Sequence, residues 1–188
     1  MDRGVDSRPN ARGLRRLSWR YPLVALAVAA GLYLAAESSG GSVASVRSLA
    51  FTDINPHSAT HGRSMSLGEL AADRGIVLQF VASWCDVCRE ELPQLQRLRD
   101  EDRAPIVFVA ADEGGTAESM LIVAERSKLT APLLFVPEAE LPRIEHRFLY
   151  EILPATFFID RGGRIRGRHE GAMSASRLAS ELEAKLGI

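Results

Sequence analysis

The chain has 188 residues, with 23 Lys and Arg against 24 Asp and Glu and a formal net charge of -1, so no overall field points to nucleic acid or another polyanion. Its first 48 residues differ in character from the rest, which leaves enough chain for one globular domain. Only two cysteines occur, Cys85 and Cys88, so a multi-bridge scaffold and a four-cysteine zinc site are excluded by count.

Residues 1–20 form a basic segment carrying Arg3, Arg8, Arg12, Arg15, Arg16 and Arg20 against Asp2 and Asp6, and Tyr21 to Ala36 continues the chain without a charge. A basic flank before an apolar run keeps the flank cytoplasmic and sends the downstream chain across the membrane, where a cysteine pair can oxidise and persist. Sixteen uncharged residues are slightly short for the roughly 20 that span a bilayer core, but Leu17, Ser18 and Trp19 extend the run if Arg20 snorkels. An uncleaved transmembrane anchor over 21–36 is the expectation. A cleaved signal peptide is the rival, with Ala36-Glu37-Ser38 as a small-x-small site. Residues 37–48, including Ser38-Ser39-Gly40-Gly41-Ser42, read as a flexible linker, and residues 49–188 as the domain.

Within the domain, Ile76 to Ala82 is a nearly continuous apolar run of strand length, suited to a central strand covered on both faces. From Asp86, Val87, Leu92, Leu95 and Leu98 recur at helical spacing among charged residues, with Pro93 inside the pattern, where a kink is expected. An apolar strand over Ile106 to Ala111, a helix from about Thr116 to Lys128, a strand over Leu133 to Val136 and a short helix around Glu138 to Arg147 come next. Ala155 to Ile159 reads as a strand, Asp160-Arg161-Gly162-Gly163 as a turn, Arg164 to Arg168 as its hairpin partner, and Ser174 to Leu186 as a closing helix. The alternation predicts an α/β fold with a mixed central sheet flanked by helices and an antiparallel end.

The chemistry gathers at the junction between the first apolar strand and its helix. Cys85 at a helix N-terminus sits beside unpaired backbone N–H groups and the positive end of the helix dipole, both of which favour the thiolate. Cys85 is therefore the expected nucleophile, and Cys88, one turn on, the residue that resolves a mixed disulfide. Asp86 acts in two directions, opposing a neighbouring thiolate while suiting a helix start. Arg89 either adds positive potential for Cys85 or is a solvated side chain. Trp84 is expected to flank the pair as part of an apolar docking surface, with a core aromatic as the other reading. Glu91, three residues past Cys88, reads either as a carboxylate that relays a proton for Cys88 or as an exposed helix charge.

These residues resemble the TlpA/ResA-like branch of the thioredoxin superfamily: an apolar strand, Trp84-Cys85-x-x-Cys88, Arg89, then Glu91-x-Pro93. A second stretch, Leu153-Pro154-Ala155-Thr156-Phe157-Phe158-Ile159-Asp160-Arg161-Gly162-Gly163, looks like the family's proline loop, strand and turn, with Gly171 before the last helix. The resemblance implies a thioredoxin fold over about residues 49 to 188. It also implies a cis-proline at Pro154 facing the cysteines, with Leu153 offering backbone hydrogen bonds to a bound peptide. It further implies a dedicated reductant of exported protein disulfides, of the apocytochrome c or copper-site assembly type, supplied with electrons by a membrane thiol carrier. No cofactor, metal or nucleic acid is expected. Two positions depart from the pattern: Asp86-Val87 stand where relatives often carry a proline next to Cys88, and Gln79 stands where thioredoxins proper place a buried acid, which makes Glu91 the better proton carrier.

Other readings are weaker. A general extracytoplasmic disulfide oxidant or isomerase is the alternative within the redox class. A peroxiredoxin would place Thr at position 82, where this chain has Ala, and haem attachment would need His at position 89, where it has Arg. A copper chaperone could pair the two thiolates with His57, His61, His146 or His169, but none is spaced as a close ligand. Asp112-Glu113-Gly114-Gly115 reads as a loop opening a helix and receives no role.

Overall fold

A computed structural model describes residues 45–188. The expected basic tail, the apolar segment over 21–36 and most of the linker lie outside the described residues. Among the described residues, no helix is long and apolar enough to cross a membrane.

The elements run β1 (Ala50–Asp53), β2 (Ser64–Ser66), α1 (Leu67–Leu70), β3 (Ile76–Val81), α2 (Asp86–Asp100), β4 (Ile106–Ala110), α3 (Ala117–Arg126) and β5 (Leu133–Phe135). A 3-10 turn (Glu138–Glu140), α4 (Leu141–Phe148), β6 (Ala155–Ile159), β7 (Ile165–Glu170) and α5 (Ala175–Leu186) complete the chain. They build a seven-stranded mixed sheet in the order β2-β1-β5-β4-β3-β6-β7. β3 pairs parallel with β4 and antiparallel with β6, so it lies at the centre of the redox half of the sheet. All six of its residues are buried, which is why its sequence shows no polar alternation.

Two apolar layers cover the sheet. Val77, Val81, Leu92, Leu95, Phe108, Leu178 and Leu182 belong to one, beneath α2 and α5. Leu78, Phe80, Val109, Ile144, Phe148 and Phe157 belong to the other, beneath α4. The packed body already includes Val46, which is fully buried and donates its N–H to the Gly163 carbonyl at 2.8 Å.

Most elements match the expectations within two residues. The short helix expected over 138–147 divides into the 3-10 turn and α4, because Pro142 lacks an N–H and fits only a first helical turn. β7 runs Ile165–Glu170 rather than 164–168, with a bulge opposite Phe158 and Ile159. The hairpin of β1 and β2 is an addition to the expected elements. Its inward residues alternate as Phe51 and Asp53, and Asp53 Oδ1 accepts the N–H groups of Asn55 and Leu133, both at 3.0 Å, tying β1 to β5.

Candidate redox site

β3 delivers the chain to the start of α2, and Cys85 is the N-cap of that fifteen-residue helix. Its Sγ accepts the Cys88 backbone N–H at 3.1 Å, and Cys85 and Cys88 are joined by a disulfide. They expose 6% and 1% of their surface. In the dithiol the same N–H and the aligned peptides of α2 favour a Cys85 thiolate, the reactive form. Cys88 lies one turn inside the helix and has no comparable access to solvent.

The flanking residues divide between surface and interior. Trp84 is 58% exposed, so it is a surface residue rather than a core aromatic. Val87 is also exposed. Arg89 donates to the Ser83 carbonyl at 2.7 Å and pairs with Asp86, so its charge is engaged by that carboxylate rather than directed at Cys85 alone.

β6 brings in the second stretch. Ala155 pairs with Phe80 near the end of β3, which places the residues before Ala155 at the cysteine end of the sheet. The Leu153–Pro154 peptide is cis, Pro154 is buried and Leu153 half-buried. The approach to this proline is held from β7: Glu170 Oε2 accepts the N–H groups of Glu151 and Ile152 at 3.2 and 3.1 Å, and Arg168 donates to the Leu149 carbonyl. Leu149 closes α4 in the left-handed region at φ 55°, a conformation that costs a non-glycine residue about 1–2 kcal/mol. Leu149 and Ile152 are both exposed. Tyr150 turns inward against Phe80 at a ring separation of 4.8 Å, and burial pushes its phenol up, out of any titrating range near neutrality.

Glu91 is not an exposed helix charge. It is 6% exposed, and both carboxylate oxygens accept buried hydrogen bonds: Oε1 from the Met173 N–H at 2.7 Å, Oε2 from Gln79 Nε2 at 2.7 Å. Gln79 Oε1 in turn accepts the Thr156 hydroxyl at 3.1 Å. Burial raises the Glu91 carboxyl above its ordinary 4.5, and the hydrogen bonds from Met173 and Gln79, with the nearby His169, oppose that rise. Sequence reasoning places Gln79 where a thioredoxin acid would sit but gives it no role, and does not assign Met173 or Thr156 to this site. Gln79 offers a signal, being a lone polar residue in an apolar strand; Thr156 and Met173 offer none, because only the fold carries them to Glu91.

Other polar groups lie elsewhere. His57 is hydrogen-bonded to Glu125 at 2.8 Å, and among the described residues no three or more His, Cys, Asp or Glu side chains gather as a metal site. A cleft lined by Arg74, Asp160, Arg161, Arg166 and Lys185 sits beyond the start of β3, at the end of the sheet away from the cysteines.

A family model described as the AhpC/TSA family matches residues 50–168. The chain is 30% identical over 110 residues to the thiol-disulfide oxidoreductase ResA of Oceanobacillus iheyensis, a match spanning 58% of this chain and 56% of that relative. It is 27% identical over 125 residues to the thioredoxin-like protein YneN of Bacillus subtilis, spanning 65% of this chain and 71% of the relative. Among solved structures, the thioredoxin domain of a thiol-disulfide oxidoreductase from Bacteroides vulgatus superposes with a TM-score of 0.60 at 15% identity, covering 79% of this chain and 99% of that one, a likeness of fold.

Proposed function

This chain belongs to the AhpC/TSA family, and we propose that within it the chain is a thiol-disulfide oxidoreductase that exchanges disulfides through Cys85 and Cys88. The observation that carries the reading is the disulfide at the N-terminus of α2, with Cys85 Sγ already accepting a backbone N–H. The second cysteine and the Ala at position 82 favour exchange over peroxide chemistry.

The direction that the family resemblance favours is reduction of exported proteins bearing a cysteine pair, of the apocytochrome c or copper-site assembly type. The Cys85 thiolate attacks one sulfur of the substrate disulfide, the substrate's S–S bond breaks, and a mixed disulfide forms as one substrate thiolate leaves. Cys88 then gives its proton to the Glu91 carboxylate and attacks Cys85 Sγ, forming the Cys85–Cys88 bond and releasing the second substrate thiolate. Two electrons pass to the substrate, and a membrane thiol carrier restores the dithiol. Trp84, Leu153 and Pro154 form the docking surface, with the Leu153 backbone pairing to the incoming strand. Residues 1–20 stay cytoplasmic, 21–36 anchor the chain, and a linker carries the domain outside the membrane.

Cys88→Ser tests this reading, because it leaves the nucleophile and removes the resolving thiol. Capture of a narrow set of exported proteins as mixed disulfides is expected. Capture of many unrelated proteins instead favours a general oxidant or isomerase, and no capture contradicts disulfide exchange.

A further inference from the structure

Gln79 occupies the core strand β3 with 1% exposure, and both polar atoms of its amide face buried partners. Its Nε2 donates to Glu91 and its Oε1 accepts from Thr156, at 1% exposure on the adjacent strand β6. In this arrangement the amide presents a hydrogen to the carboxylate oxygen, which suits an ionised Glu91. A proton arriving on that oxygen meets the amide hydrogen face to face, and neither group then has an acceptor along that line.

The amide has a second orientation of nearly the same shape. Turned over about its last torsion, it offers Oε1 to the Glu91 O–H, and Nε2 donates to Thr156 Oγ1, whose lone pairs accept as readily as its hydrogen donates. The Met173 N–H continues to serve the other carboxylate oxygen in both states. A leucine or methionine at position 79 would fill the strand but answer neither state, and an acid there would place two carboxylates together. An amide backed by a hydroxyl is the combination that stays paired when one proton comes or goes.

We propose that Gln79, held in place by Thr156, which pairs with its amide in either orientation, is the positioning residue for Glu91, and that the amide turns over when Glu91 takes up the Cys88 proton. The proposal rests on the proposed role of Glu91 as the proton acceptor for Cys88, and adds the device that keeps the acceptor buried yet reversible. No other reactant is needed: the proton leaves Cys88 Sγ, arrives on Glu91 Oε2, and returns to Cys88 Sγ when the carrier next breaks the Cys85–Cys88 bond to form the dithiol. Of the titratable groups, His169 from β7 exerts a charge effect on Glu91, and Cys88 lies three residues before it on α2. His169 pairs opposite Thr156 in the sheet.

The test tracks the Glu91 carboxyl by carbon-13 NMR in the full chain, in its disulfide state, with glutamate labelled and the Glu91 signal identified by its loss in Glu91→Gln. Gln79→Leu removes the donor and is expected to move the Glu91 titration upward by about one pH unit, the shift that goes with losing one hydrogen bond to a charged group. Thr156→Val, which frees the amide without removing it, is expected to move it in the same direction by less, and Thr156→Ser to restore it. If Gln79→Leu fails to fold, Thr156→Val against Thr156→Ser decides the matter. An unmoved titration in folded variants overturns the relay, as does an equal shift in Thr156→Ser and Thr156→Val.

The rate of mixed-disulfide resolution against pH is read on the same variants with a small aromatic disulfide as probe. A rate profile that moves with the Glu91 titration upholds both readings. A titration that moves under an unmoved rate profile upholds Gln79 as the positioning residue for Glu91 and contradicts the role of Glu91 toward Cys88.

Discussion

Trp84 and Val87 expose 58% and 46% of their surface, and Leu149 and Ile152 across the junction expose 62% and 60%, whereas Glu91, on the same helix as Val87, exposes 6% and Gln79 exposes 1%. The redox pair therefore stands between two regions built on opposite principles. Outside is an apolar rim, with the paired charges of Asp86 and Arg89 beside it. Inside is a hydrogen-bonded chain of Thr156, Gln79, Glu91 and the Met173 N–H. Apolar surface that is wet when unoccupied suits recognition of a protein partner, since its burial contributes roughly 25 cal/mol per Å² of apolar area. Polar groups kept dry suit control of a proton, because a low dielectric magnifies each hydrogen bond and penalises each unpaired group. Under the proposed function, recognition and proton handling are expected to be separable by substitution.

Cys85→Ser has the largest expected effect, because it removes the only group at the helix N-terminus able to start the exchange. Turnover of protein and small disulfides alike should fall to the uncatalysed level, measured by release of substrate thiol. Next comes the inner region: Glu91→Gln should slow resolution of the mixed disulfide by about 10²-fold while leaving the first attack nearly unchanged, seen as accumulation of the adduct in single-turnover mass spectrometry.

The same substitution has a signature in stability. Glu91 has a folded-state carboxyl raised above its ordinary 4.5, so the folded chain binds its proton more tightly than the unfolded chain does. Its contribution is therefore most favourable below 4.5 and is lost as pH rises through the raised folded value. Urea unfolding across that window should show this loss in the native protein and not in Glu91→Gln, where the Gln79 amide turns over to accept from the new side chain.

The outer region should give smaller and more selective effects. Replacing Leu149 and Ile152 together by Ser should lower the rate with a protein disulfide by about tenfold and leave a small disulfide unaffected, because one or two lost apolar contacts are worth about 1–3 kcal/mol. An equal loss with both substrates would erase the distinction between rim and interior. Asp86→Asn has the smallest expected effect, a modest gain in the reactivity of Cys85 as its thiolate, since it removes one exposed negative charge beside the sulfur and releases Arg89. The alkylation rate of Cys85 against pH reads it directly.

The parts of the site that lie close together in the chain are legible without the fold. Cys85 and Cys88 are their own signal, and the strand and helix around them emerge from an apolar run ending where a 3.6-residue period begins. The inner region is only half legible. Glu91 declares itself by spacing from Cys88, but its burial depends on the loop after β7 delivering the Met173 N–H from 82 positions away. Thr156 faces Gln79 only because β6 pairs antiparallel with β3, and a strand threonine otherwise looks like any β-branched residue. The β1–β2 hairpin escapes for a different reason: its strands are four and three residues long, and one inward position is a buried aspartate that reads as a turn residue until Leu133 and Asn55 are found donating to it.

The most direct measurement equilibrates the full chain in thiol buffers of graded potential and monitors its two free thiols. A single reversible two-electron transition, with a midpoint on the order of -250 mV or lower, is the expected result for a dedicated reductant. A midpoint on the order of -120 mV would reverse the proposed direction of electron flow, and the absence of any reversible transition would contradict disulfide exchange at Cys85 and Cys88.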